Sequence, residues 1–88
     1  MNCYKHKNNV NGYTNPQLAE EIGNLHYGSA IELFNALSKK FEMDSETDKS
    51  NGREKLASNL LKIAFLFKDI EIEMSEAWKI CEPYMKEN

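Results

Sequence analysis

Cysteine, proline and glycine are all scarce in this chain, which contains two, two and four of them among 88 residues. Two cysteines, Cys3 and Cys81, are too few for the disulfide framework that holds many small secreted domains together. We expect both to be reduced thiols. Because helix breakers are so few, long stretches of the chain can remain helical without interruption.

Long apolar runs and an excess of positive charge are also missing. The longest apolar run, residues 63–67, is five residues long, whereas a membrane-spanning helix needs about 20. The N-terminal residues lack the hydrophobic segment of a secretory signal. Lysine and arginine together number 11 against 14 acidic residues, a net charge of -3, which gives no general attraction for phosphate backbones. These absences predict a cytoplasmic protein without a membrane segment, for which nucleic-acid binding is disfavoured.

The chain does contain one long heptad pattern. Over residues 56–84 apolar side chains recur at alternating steps of four and three, which places them along one stripe of a helix. We predict a helix over residues 53–82 that ends before Pro83, because proline lacks the backbone donor and disfavours helical geometry in the residue before it. The stripe consists of Leu56, Leu60, Ile63, Phe67, Ile70, Met74, Ala77, Cys81 and Tyr84.

An earlier helix start is visible around Thr14. Thr14 can cap the helix, Pro16 suits a first turn where its missing N–H is not needed, and Gln17 completes a capping box. We predict a helix over residues 16–43. Its apolar face changes phase near Gly28, so we expect a kink there, and two helices that meet at a turn near Gly28 are the alternative.

Two other segments lack apolar periodicity. Residues 1–13 are rich in asparagine and predict a flexible N-terminal arm. Residues 44–52 combine capping and turn-forming residues, and they predict the loop between two antiparallel helices. The expected fold class is therefore all-α, with a single helical domain over residues 14–88 that is built as an αα-hairpin of two long helices.

The second predicted helix is apolar on nearly every side between residues 60 and 67, and such a helix is normally packed on several sides. One helix of the same chain covers one side, so we predict a homodimer in which two hairpins form a four-helix bundle. An arm that folds over this segment within a monomer is the alternative. The predicted interface residues are Leu60, Phe65, Leu66, Phe67, Ile70, Met74, Trp78 and Cys81.

Side chains suited to metal binding are few and scattered. Cys3 and His6 have Cys-x-x-His spacing, and His26 with Cys81 could complete four zinc ligands. Cys81, however, fits better as a small apolar residue in the heptad stripe. The glutamates lack the Glu-x-x-His pattern of carboxylate metal sites in helix bundles. We therefore predict no metal, no cofactor and no enzymatic activity.

Residues 18–37 have features of a helix-turn-helix DNA reader. Against that interpretation, the turn reads about two residues too long for the motif, Glu32 lies on the expected reading face, and no lysine or arginine occurs from Gln17 until Lys39. The predicted function is a non-enzymatic protein-protein interaction or regulatory module with an unknown protein partner. A helix-turn-helix-like DNA-binding regulator is the alternative.

Overall fold

The computed structural model describes the backbone of residues 6–85 and the side chains of residues 6–84. This part of the chain forms three helices: α1 (Asn15–Gly23), α2 (Tyr27–Ser50) and α3 (Glu54–Met85). Helices α2 and α3 pack against each other along their length as an antiparallel hairpin. Residues 6–85 contain no strand beyond an isolated bridge between Val10 and Tyr13. The predicted all-α class and the hairpin of two long helices are confirmed.

Helix α1 begins as the sequence predicts. The Thr14 hydroxyl accepts a hydrogen bond from the Gln17 N–H at 3.3 Å, and the Gln17 side chain accepts one from the Thr14 N–H at 2.9 Å. This reciprocal capping box satisfies two backbone donors that an exposed helix start would leave without helical partners. Pro16 lies in the first turn, where it removes no helical hydrogen bond.

The predicted kinked helix over residues 16–43 is instead two separate helices, α1 and α2. Residues 24–26 leave the helical path, and His26 has the extended backbone of an N-cap, with φ -53° and ψ 138°. Its Nδ1 atom accepts a hydrogen bond from the Gly28 N–H at 3.0 Å. The His26 ring also packs on Trp78, with centroids 4.7 Å apart. This tertiary contact and the cap together hold the break, because they stabilise a conformation that a continuous helix cannot adopt.

The predicted loop over residues 44–52 is wrong for most of its length, because α2 continues to Ser50. Gly52 has φ +80°, a conformation that glycine adopts without steric cost. Its N–H donates to the Lys49 carbonyl at 3.1 Å, and the Arg53 N–H donates to the Asp48 carbonyl at 2.8 Å. These two bonds form a Schellman motif, and an ion pair of 2.7 Å between Arg53 and Asp48 reinforces it. The turn therefore needs only residues 51–53.

Helix α3 also runs further than predicted, through Pro83 to Met85. Proline removes one helical hydrogen bond and crowds the carbonyl four residues earlier. In the last turn this cost is small, since only two helical residues follow Pro83 and few bonds remain to be disrupted.

The closest approach of α2 and α3 is lined by small residues. The Ser38 hydroxyl donates to the Ala64 carbonyl at 2.8 Å, and the Ser45 hydroxyl donates to the Ala57 carbonyl at 2.6 Å. All four residues are buried. A serine side chain is short, so these bonds to the main chain of the neighbouring helix require the two helices to lie close together.

The hairpin is only one helix thick. Its Cα atoms span 53 × 28 × 13 Å, and its radius of gyration is 16.0 Å, compared with about 12 Å for a compact chain of this length. Among the described side chains, the fully buried apolar ones are Ala30, Ala57 and Ala64. A folded domain normally buries apolar faces between at least two layers, and here the second layer is missing from the single chain.

Candidate functional site

The two broad sides of the hairpin differ in the polarity of their side chains. The contacts of Ser38 with Ala64 and of Ser45 with Ala57 place these four buried residues on the contact line between the two helices. A helical residue one position earlier or later lies about 100° around the axis. Because the helices are antiparallel, the residues that follow the small ones turn towards one broad side, which we call the small-residue side, and the residues that precede them turn towards the opposite side.

That opposite side is apolar on both helices, and we call it the aliphatic face. Leu37 precedes Ser38 in α2, Ile63 precedes Ala64 in α3, and Ile70 follows Ile63 two turns later. Three of its members are exposed and three are half-buried in the single chain. The aliphatic face consists of Leu33, Leu37, Leu56, Ile63, Leu66 and Ile70.

A row of three phenylalanines lies between the contact line of the two helices and the aliphatic face. Phe67 of α3 stacks against Phe34 and Phe41 of α2, with ring centroids 6.0 and 5.6 Å apart and interplanar angles of 21° and 20°. Such aromatic pairs add about 0.5–1.5 kcal/mol each beyond the area they bury. All three rings are half-buried. They therefore form an apolar floor beside the aliphatic face that the single chain leaves partly open.

The small-residue side is more polar. The Asn35 amide donates to both carboxylate oxygens of Glu71, at 3.1 and 3.3 Å, and this bond crosses between the helices. Lys39 and Lys68 are exposed nearby along the two helices. The exposed apolar residues on this side come mostly from α3, namely Leu61, Phe65 and Ile72. Helix α2 contributes one exposed apolar residue, Met43.

The end of the hairpin away from the turn carries an aromatic cluster. Trp78 is half-buried against His26 and also meets Tyr27 edge to face, with centroids 6.1 Å apart. The His26 Nδ1 atom accepts a hydrogen bond from the Gly28 N–H. The cluster ties the start of α2 to the later part of α3.

The predicted interface residues fall on different parts of α3. Leu66 and Ile70 belong to the aliphatic face, whereas Phe65 follows Ala64 and points away from it. Leu33 and Leu37, which also belong to this face, are not among the predicted interface residues, although their spacing of four residues is a signal for a shared helix face. The other predicted residues are half-buried in the single chain: Leu60, Phe67, Met74, Trp78 and Cys81.

The candidate zinc ligands are described only in part. Cys3 lies outside the described residues, and His26 serves as the N-cap of α2. Within the described part of the chain, no group of three or more histidine, cysteine, aspartate or glutamate side chains is arranged to hold a metal ion. None of the three helices described is long and apolar enough to cross a membrane.

Comparison with protein-family models, with curated proteins and with solved structures finds no match for this chain. The function of the chain is therefore inferred from its own exposed residues.

Proposed function

We propose that the protein is a non-enzymatic interaction module that acts as a helical homodimer, in which two hairpins form a four-helix bundle. The outer surface of that bundle would then engage a further protein. The observation that carries this proposal is the missing second layer: two long helices with apolar side chains on their flanks and no large side chain fully buried among the described residues.

The exposed surface supports the same proposal quantitatively. The single chain exposes 7204 Å², whereas a compact monomer of 10.2 kDa is expected to expose about 5,300 Å². The excess is about 1,900 Å², and a standard protein interface buries about 800 Å² on each partner. The chain as a whole therefore has enough surplus surface for one full interface with area left for a second.

The proposed dimer is tested by its dependence on concentration. Sedimentation equilibrium of the full chain from about 1 to 300 μM should show a monomer-dimer equilibrium, and the unfolding midpoint should rise with concentration because dimerisation stabilises the folded state by mass action. A monomer across this range, with an unfolding midpoint that does not change on dilution, contradicts the proposal.

A DNA-binding regulator remains the second candidate because of one observation. The link between α1 and α2 is residues 24–26, which matches the turn of three to four residues in helix-turn-helix proteins. The predicted objection about turn length therefore falls. The charge objection stays, since no lysine or arginine occurs from Gln17 to Ser38. Asn35, a potential base-reading residue, is hydrogen-bonded to Glu71 instead.

Selection of binding sites from random duplex DNA separates the two candidates. For the interaction module we expect no enriched sequence and no binding below about 100 μM at physiological salt, which is weaker than ordinary non-specific binding by DNA-binding proteins. Recovery of a palindromic site whose binding is lost in Asn35→Ala would instead identify a DNA-binding regulator. Circular dichroism of Asn35→Ala controls for loss of the bond to Glu71.

A further inference from the structure

We infer that the second copy of the chain docks on the aliphatic face, so that the dimer interface is formed by both long helices and not by α3 alone. This inference rests on the proposed homodimer and identifies the surface it uses. The face comprises Leu33, Leu37, Leu56, Ile63, Leu66 and Ile70.

The two sides differ in how charged and apolar side chains are distributed. On the aliphatic face both helices contribute leucine or isoleucine, and the phenylalanine row lies beside them. On the small-residue side α2 contributes Asn35, Lys39 and one exposed apolar residue, Met43. Helix α3 places Lys68 there among the exposed residues Leu61, Phe65 and Ile72. A packed interface excludes water from its centre, and burying unpaired charges there is costly. The aliphatic face is therefore the side that can be covered at lower cost.

The aliphatic face is also self-complementary in charge. A symmetric dimer brings the same patch of both copies together, so a charged patch would meet its own charge. Lys40 and Asp44 continue the stripe of Leu33 and Leu37 towards the turn, and they form an ion pair of 2.7 Å that is neutral as a whole. The six residues of the face carry no charge at all. A second copy consequently meets no like-charge repulsion at the centre of the contact.

The exposed area is large enough for such a contact. The surplus of about 1,900 Å² over a compact monomer belongs to the whole chain, and it is more than twice the area of about 800 Å² that each partner buries in a standard interface. Along α3 the face extends from Leu56 to Ile70, about 21 Å at 1.5 Å per residue. A second hairpin laid across both helices supplies the missing layer and covers the phenylalanine row at the same time.

Two matched pairs of glutamate substitutions test which side is buried. Leu66→Glu and Ile72→Glu change residues that are each 60 % exposed in the single chain, on the aliphatic face and away from it respectively. Ile70→Glu and Leu61→Glu form the second pair, at 37 % and 38 % exposure. Ile70 and Leu61 are nine residues apart, about two and a half turns, so they lie on opposite sides of α3.

We expect Leu66→Glu and Ile70→Glu to weaken dimerisation at least about a hundredfold in sedimentation experiments, because each dimer would bury two uncompensated charges. Ile72→Glu and Leu61→Glu should change the dimerisation constant less than about threefold. If folding requires dimerisation, the first two variants will also lose helicity while the controls keep it, and that result supports the same assignment.

The unmodified chain provides a second readout through hydroxyl-radical footprinting. Leu66 and Ile70 should be protected from oxidation at dimer-forming concentrations and react on dilution, whereas Ile72 should react at both.

The outcomes separate this inference from the proposed function. A dimer that is broken by the Ile72 and Leu61 variants, by all four equally, or by none of them overturns the assignment of the aliphatic face and leaves the homodimer standing. A parent chain that is monomeric at every concentration overturns both, and deletion of residues 1–12 then tests whether the N-terminal arm covers the face.

Discussion

The contact line between the helices and the aliphatic face of the hairpin differ in how their side chains pack. On the contact line, Ser38 and Ser45 fit against Ala64 and Ala57, and each hydroxyl is bonded to a backbone carbonyl. These contacts join α2 to α3 within one chain. On the aliphatic face, large side chains spread outwards and stay partly exposed. Large apolar residues here do not mark the tightest contact, which belongs to the smallest residues.

The largest expected loss of stability is at the phenylalanine row, which lies between the contact line of the helices and the aliphatic face. Phe67→Ala removes the ring that stacks between Phe34 and Phe41, and truncation of a well-packed phenylalanine costs about 3–5 kcal/mol. Because Phe67 is half-buried, we expect about 3 kcal/mol. Urea unfolding at fixed protein concentration measures this change. The matched control is Phe65→Ala, an exposed neighbour, with an expected cost below about 1 kcal/mol. Equal losses in both variants would mean that the stack contributes nothing specific.

The second prediction concerns overpacking on the contact line between the two helices. Ala64 is completely buried against Ser38, so Ala64→Leu has to push the helices apart, at an expected cost of about 1–3 kcal/mol. Ala36→Leu introduces the same side chain at an exposed position of α2 and should change stability by less than about 0.5 kcal/mol. Thermal unfolding of both variants at one concentration decides the matter. If Ala64→Leu is as stable as its control, the two helices do not lie close together at Ala64, and the described contact with Ser38 is contradicted.

The class of fold and the start of α1 could be predicted from the sequence. Which residues pack between the helices, and which stay partly exposed on the aliphatic face, could not. Thr14 and Gln17 lie within one turn, so their capping box depends on local chemistry alone. The heptad stripe of large residues was readable as well. It did not show which of its members touch α2, since Leu56 and Ile70 remain exposed beside half-buried Phe67. That choice depends on the pairing of two helices distant in sequence.

A second signal was present and overlooked. Ser38 and Ser45 are seven residues apart, and so are Ala57 and Ala64, which is the repeat expected for a line of close helix contact. The loop over residues 44–52 was mispredicted for a related reason. Its residues favour turns individually, but Ser45 is held in α2 by its bond to Ala57, and the Schellman motif at Gly52 ends the helix several residues later.

The third prediction tests the hydrogen bonds that join the two helices along their contact line. Ser45→Ala removes the bond of 2.6 Å to the Ala57 carbonyl, and a typical intramolecular hydrogen bond contributes about 1 kcal/mol. Ser50→Ala is the matched control, because the Ser50 hydroxyl bonds an exposed carbonyl of its own helix. Ser50 is the last residue of α2 and gains less helix propensity than Ser45, so the difference between the variants gives a lower limit for the bond between helices. We expect Ser45→Ala to be less stable than Ser50→Ala by about 1 kcal/mol in chemical denaturation.

The smallest predicted effect lies at the edge of the aliphatic face, where Lys40 and Asp44 form an ion pair of 2.7 Å one helical turn apart. In the single chain the Lys40 side chain is 65 % exposed and the Asp44 side chain 38 %, and surface pairs of this spacing contribute about 0.3–0.5 kcal/mol. A double-mutant cycle with Lys40→Met and Asp44→Asn isolates the pair energy. Because salt screens exposed charges, this energy should fall further at 1 M NaCl. A coupling above about 1 kcal/mol that resists salt would contradict the exposed position, and would move the boundary of the covered face outwards to include this pair.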